Sequence, residues 1–337
     1  YDNYSFEASQ AKIVSKDGYT FNNYEDKRLI IPPIMDESLG HRTHTRDPKV
    51  WKYKDSYSMI LGSKFKQEDN DKFTGEALFY TSKDGEKWTY KNRCYDDTIG
   101  DMWECPDLFE VDGRYVLVMS PENIIADDIN YTNNSVYSIV DFDEETCEMK
   151  LINNQKFLDE GLDLYAPQTT LDEFGNRVLI GWMRMPLTFD GEDWIGMMSL
   201  PRVINIKNND VYFSAPEYID KLFNKEVKLS EFDVNDVYKL NATLNKDSVL
   251  DIGGYKISIV DDSIVTDRSK VFPDMKRKGR VFKSSKLNGR YDLSIYIDNG
   301  IIEIFINDGK YVISNIVYGL ESKIEVHNIE TIRLLKI

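Results

Sequence analysis

Two carboxylates stand out by their settings. Asp47 lies in Arg46-Asp47-Pro48, and Glu104 lies in Glu104-Cys105-Pro106, 57 residues further on. Each opens a run rich in aromatic and β-branched residues, KVWKYKDSYSMILGS after Pro48 and DLFEVDGRYVLVMSP after Pro106, which reads as strand, polar turn and strand. Two acids facing each other across a pocket can cleave a glycosidic bond. One acts as nucleophile or base. The other, kept protonated by apolar surroundings, gives its proton to the leaving oxygen. Glu104 is the better donor, because Trp103, Cys105 and Pro106 flank it and would exclude water. Asp47 follows Arg46, whose guanidinium would keep it ionised and suited to accepting hydrogen bonds from sugar hydroxyls. Plainer readings stay open: Glu104 as a structural acid capping a sheet, and Asp47 as half of an Arg–Asp pair.

The elements that must position these acids repeat. A third copy, QTTLDEFGNRVLIGW, follows Pro167 with Asp163 just upstream, and Pro48, Pro106 and Pro167 lie 58 and then 61 residues apart. A second echo is SKDGYTFNNY at 15–24 against SKDGEKWTYK at 82–91. Repeated all-β units with Asp112-Gly113 and Gly175-Asn176 turns point to a propeller of four-stranded sheets, whose ring leaves few open edges. The period exceeds the roughly 40–50 residues of common blade repeats, so the loops are long. Acids at the start of each first strand would then share one mouth of the channel.

At 337 residues the chain calls for two domains. Residues 1–214 read as the propeller, 215–232 as a short helical or irregular linker, and 233–337 as a β-sandwich of alternating strands. The sandwich turns are placed at Asn245-Lys246, Gly253-Gly254, Asn288-Gly289, Asn299-Gly300 and Asp308-Gly309. The sandwich acids are expected in turns or on the solvent face, with no chemistry. A formal charge of −16 argues against nucleic acid or an anionic membrane as partner. No apolar run is long enough to span a bilayer. Cys94, Cys105 and Cys147 form no CxxC spacing, which fits free thiols in a reducing compartment and gives a slight lean to the cytoplasm. His41 and His44, in the loop leading to Asp47, lack a third ligand for a metal. ENIIADDINYTNNS at 122–135 reads as a polar loop whose acids resemble calcium ligands in type but not in spacing. Neither a metal nor another cofactor is called for.

These blocks resemble glycoside hydrolase family 32, the invertases, sucrose-6-phosphate hydrolases, inulinases and levanases. The resemblance rests on ASQAKIVSKDGYTF, RDPKVW (46–51), MILGS (59–63), WECPDLF (103–109), GLDLYAPQT (161–169), IGWM (180–183), IGMMSLPR (195–202) and EIFINDG (303–309). It implies an all-β fold, a five-bladed β-propeller followed by a C-terminal β-sandwich, and retaining hydrolysis of β-fructofuranosides such as sucrose or sucrose-6-phosphate. Glu104 would be the acid/base and Asp47 the transition-state stabiliser. Arg46 would hold the site, Asp163, Trp182 and Tyr165 would contact substrate, and Cys105 would tune Glu104. Of Lys49, Arg184 and the His41–His44 loop, any could read a phosphate.

One departure bears on activity. The family's nucleophilic aspartate lies in a Trp-Met-Asn-Asp-Pro-Asn-Gly motif that this sequence lacks, and Asp47-Pro48 is its only Asp-Pro pair. The expectation is a chain N-terminally incomplete against the family, inactive alone, with unclosed edges that would favour a homo-oligomer. A fructan exo-hydrolase, or a catalytically silent fructoside-binding propeller, is the alternative.

Overall fold

The computed structural model describes residues 6–22, 25–68, 71–126, 129–275, 278–298 and 300–337, with the backbone alone for 125, 126 and 129–133. The chain forms two compact units, Tyr1–Lys156 and Phe157–Ile337.

The first unit holds two antiparallel sheets built alike. One runs Arg46–Tyr53, Ser56–Lys66, Phe73–Ser82, Thr89–Tyr95 in sequential order. The other runs Met102–Val111, Arg114–Ala126, Val136–Asp143, Glu148–Leu151. Asp112 (φ 51°) and Gly113 (φ 73°) close its first hairpin, both left-handed as a type I′ turn requires. The stretch 122–135 is a hairpin rather than a loop: Ile129–Asn133 pairs back on Arg114–Ala126, while Asp127 and Asp128 at its tip lie outside the described residues. The SKDG echo is physical. In both copies the Ser hydroxyl accepts the Gly N–H (Ser15 from Gly18 and Ser82 from Gly85, both 2.9 Å). In both, the Asp Oδ1 accepts the next two amides, from Tyr19 and Thr20 in one and from Glu86 and Lys87 in the other.

In the second unit a third such sheet, Leu164–Leu171, Arg177–Met183, Arg202–Lys207, Asp210–Ser214, precedes a nine-stranded sandwich sheet system. The expected boundary at residue 214 therefore differs from the compact division. Arg202 of the third sheet forms buried ion pairs with Asp159 and with Glu303 of the sandwich, and the Phe213 amide donates to the Gly309 carbonyl at 2.9 Å. The stretch 215–232 holds the helix Glu217–Asp220 and the strand Lys225–Val227, which pairs with Leu334–Lys336 and so extends the sandwich. The series Asp292–Asp298, Ile301–Ile306, Tyr311–Ile316 pairs sequentially, as its pattern predicts. The Asn245-Lys246 turn is a correction: it lies inside the long strand Tyr238–Ile252, where a register shift absorbs it. Of the Asn299-Gly300 turn, Asn299 lies outside the described residues. Glu303 is a further correction. Every residue of its strand is buried, so its carboxylate is satisfied by Arg202 and the Leu200 amide instead of water.

Candidate active site

The three first strands share one device. Each carries a β-bulge at its proline, between Arg46 and Lys49, Glu104 and Asp107, and Tyr165 and Gln168. The residue before each proline is left-handed: Asp47 (φ 60°), Cys105 (φ 50°) and Ala166 (φ 49°). Proline has no N–H for the ladder, so a bulge accommodates it and re-aims the side chains beside it. For a residue with a Cβ the left-handed region costs about 1–2 kcal/mol, a strain that three equivalent positions keep. The bulge also shows that the acids are not equivalent in the repeat. Asp47 corresponds to Cys105 and Ala166, whereas Glu104 corresponds to Arg46 and Tyr165.

Within the first unit, equivalent positions of the two neighbouring sheets touch. Arg46 Nη2 donates to Glu104 Oε1, the Cys105 amide donates to Asp47 Oδ2 at 3.0 Å, and Lys49 Nζ donates to buried Asp107 Oδ2 at 3.1 Å. All three pairs are 58 residues apart, so the sequence period is also the contact period. The approach is close because Gly62, opposite Arg46, is bare. A Cβ there would lie 1.9 Å from the Trp103 carbonyl oxygen. Gly75 likewise leaves room for the fully buried Trp103 indole, which donates to the Ile99 carbonyl at 2.7 Å.

Strand alternation corrects the expected apolar setting of Glu104. Trp103 takes the buried face, and Glu104 turns to the opposite one, where Arg46 meets it. Glu122 joins from the adjacent strand, its Oε1 3.6 Å from Arg46 Nη2. Burial works against the Arg46 charge, but the hydrogen bond and charge of Glu104, with Asp47 and Glu122, carry its pKa upward. Burial and then the Glu104 charge push Glu122 up. Cys105 is also redirected. Its thiol donates to Asp47 Oδ2 at 3.6 Å, so it supports Asp47, and burial, with Asp47 and Glu104 adding, pushes it up to about 12. It is therefore a donor at neutral pH. Asp47 Oδ2 is thus fixed, while Oδ1 receives no hydrogen bond among the described residues.

The remaining expected site residues belong to the second unit. Asp163 is buried, its oxygens accepting from Arg268 (3.2 Å from Nη2 to Oδ1) and from the Ile316 amide (3.0 Å). That occupancy gives it a structural task. Tyr165 is buried under the Arg184 guanidinium, 5.0 Å from the ring centroid. Trp182 pairs across the ladder with Tyr165 and is 44 % exposed, close to the exposed Met198.

Residues 2–216 match the family model "Glycosyl hydrolases family 32 N-terminal domain", and residues 255–334 match the C-terminal model. The chain belongs to glycosyl hydrolases family 32. It is 32 % identical over 305 residues to a sucrose-6-phosphate hydrolase of Vibrio alginolyticus, covering 84 % of this chain and 61 % of the relative. It is 29 % identical over 339 residues to that of Bacillus subtilis, covering 91 % and 67 %. The chain thus spans about three fifths to two thirds of these relatives' length. The sucrose-6-phosphate hydrolase structure from Lactobacillus gasseri superposes with TM-score 0.81 at 22 % identity, covering 98 % of this chain and 72 % of that one. The fold, as in the solved family 32 structures, is a β-propeller followed by a β-sandwich.

Sequence reasoning for this family 32 chain did not single out Glu122, hidden in a stretch read as a loop. For the Lys49–Asp107 pair the 58-residue period was a sufficient signal. Among the described residues no group of three or more His, Cys, Asp or Glu is placed to hold a metal ion, and no helix is long and apolar enough to cross a membrane.

Proposed function

We propose that the Asp47–Arg46–Glu104 cluster binds the β-fructofuranosyl end of sucrose or sucrose-6-phosphate and serves retaining hydrolysis as acid/base and stabiliser. The observation that carries this is one arginine held between two carboxylates, Glu104 and Glu122, beside an aspartate with one oxygen unspent. Asp47 Oδ1 accepts a sugar hydroxyl. Glu104 is held by Arg46 in the resting site and acts as the proton carrier once a sugar displaces water. Arg46 then keeps a partner in Glu122, so the proton transfer strands no charge. The leaving oxygen receives that proton from Glu104.

Retention also needs a carboxylate nucleophile about 5 Å from the acid, and the family's nucleophile motif has no match in this sequence. For these 337 residues the reading is therefore fructoside binding, with turnover only where such a carboxylate is supplied. The test pairs calorimetric titration of the pure 337-residue protein with an assay for released fructose, using sucrose and sucrose-6-phosphate. Binding without release is expected, with Asp47→Asn weakening binding about tenfold. Fructose release that disappears in Glu104→Gln would show a nucleophile within the chain. Binding of neither sugar would sink the fructoside reading.

A further inference from the structure

Beside Arg46, the first unit presents a set of donors that the cleavage reading leaves unused. The His41 and His44 rings meet edge to face with centroids 4.9 Å apart. His41 is tilted on Phe73 at 5.6 Å, and Lys64 holds its Nζ over the same Phe73 ring, 4.5 Å from the centroid. Hydrogen bonding fixes both imidazoles. His41 Nδ1 accepts the Thr43 amide at 3.2 Å, and His44 Nδ1 faces Arg46 Nη1 at 3.3 Å. A backbone amide and a guanidinium can only donate, so each Nδ1 is an acceptor and each neutral ring carries its proton on Nε2. Burial first, with the Lys64 charge next, holds both histidines below their ordinary range, His44 at about 4. Neutral rings are therefore the state at pH 7.

Neither Nε2–H nor the Lys64 ammonium has a hydrogen-bond or ion-pair partner among the described residues. All three groups are half-buried. Asp101 and Glu122 are the acids that Lys64 feels, but neither pairs with it. Asp101 Oδ2 accepts from Asn123 at 2.9 Å, and Glu122 lies against Arg46. The other cations with a claim on phosphate are committed. Lys49 is paired with Asp107, and Arg184 donates to the Leu162 and Asp163 carbonyls.

We infer that His41, His44 and Lys64 form a subsite for a phosphate monoester, through which the site prefers the phosphorylated disaccharide over sucrose. Three donors without a partner among the described residues suit a group of acceptor oxygens, and His44 touches the arginine that holds Glu104, which places the subsite on the proton-donor side. The sugar part of this inference rests on the fructoside reading. The phosphate part does not.

The test titrates the 337-residue protein with sucrose-6-phosphate, sucrose and inorganic phosphate, in wild type, Lys64→Gln and Lys64→Arg. The wild type is expected to bind sucrose-6-phosphate roughly 10- to 100-fold tighter than sucrose. Lys64→Gln should erase that difference, and Lys64→Arg should keep most of it. Equal affinity for the two sugars in the wild type overturns the subsite, as does a Lys64→Gln change that weakens both alike. If neither sugar binds but inorganic phosphate binds and depends on Lys64, the subsite stands and the fructoside reading falls. If phosphate fails too, the subsite falls.

Discussion

Arginine meets carboxylate in both units, and the two meetings differ in what is left over. In the second unit Arg202 is fully buried between Asp159 and Glu303 at 2.8 and 2.7 Å. All four carboxylate oxygens there are spent, on Arg202 and on the amides of Gly161, Ser314 and Leu200. In the first unit Arg46 is about one-third exposed, as is Asp47, and an Asp47 oxygen waits without a partner among the described residues. Buried, with every carboxylate oxygen taken and only Arg202 Nε and Nη1 of the group without a partner among the described residues, the first arrangement is architecture. Unsaturated and open on one side, the second is where a ligand's hydroxyls can complete the set.

The largest effect that could break this contrast is a matched pair of substitutions. Arg202→Met strands two buried carboxylates and should cost about 3–5 kcal/mol of stability. Arg46→Met should cost about 1 kcal/mol, as half-exposed pairs do, and should abolish sugar binding instead. Urea unfolding with parallel calorimetric titration reads both. Equal stability losses would mean that burial does not separate the two clusters.

Glu76 sits between these cases. It is wholly buried in the strand Phe73–Ser82. Its Oε1 lacks a partner among the described residues, and Oε2 meets Arg93 only at 3.4 Å. Burial pushes its pKa from 4.5 to about 7. Because the folded value is the higher one, the folded state binds the extra proton between those values. Its contribution to stability is whole below about pH 4.5 and is lost as pH rises through 7. The loss is about 3 kcal/mol, the size of that shift. Glu76→Gln should remove this slope, seen as the difference between wild-type and variant unfolding curves at pH 5 and pH 8. A constant difference would show Glu76 ionised throughout.

Much of this architecture was legible from residues. The prolines at 48, 106 and 167 mark three equivalent strands, and the SKDG copies mark equivalent turns, because turn and bulge chemistry is local. Long-range satisfaction was not. Asp163 looked like a substrate ligand from its place in a block, but its partner Arg268 is 105 residues away. Glu303 looked solvent-facing by alternation, yet both faces of its strand are covered. Glu104 looked apolar from its neighbours in sequence, which a strand sends to the other face. Spacing locates an element, and only the packed neighbour says what its side chains touch.

Gly62 is where architecture and site meet, and it gives the subtlest test. Its φ is not in the left-handed region, so alanine there brings no backbone strain. The only obstacle is the Trp103 carbonyl, 1.9 Å from the added Cβ, with Pro106 Cδ at 3.3 Å. Neither is a flexible side-chain end, so the neighbouring sheet must shift. The expected cost is about 1–3 kcal/mol, as for overpacking elsewhere, and this falls below the Arg202 effect. The more telling readout is binding. Moving the second sheet's first strand lengthens Arg46–Glu104 and Asp47–Cys105 together, because both contacts join adjacent residues of the same two strands. Gly62→Ala should therefore weaken sugar binding more than its stability cost implies, while Gly113→Ala, in a turn where nothing lies within 4 Å of an added Cβ, should leave binding alone. Normal sugar affinity in a destabilised Gly62→Ala protein would show that the spacing of the two sheets does not set the site.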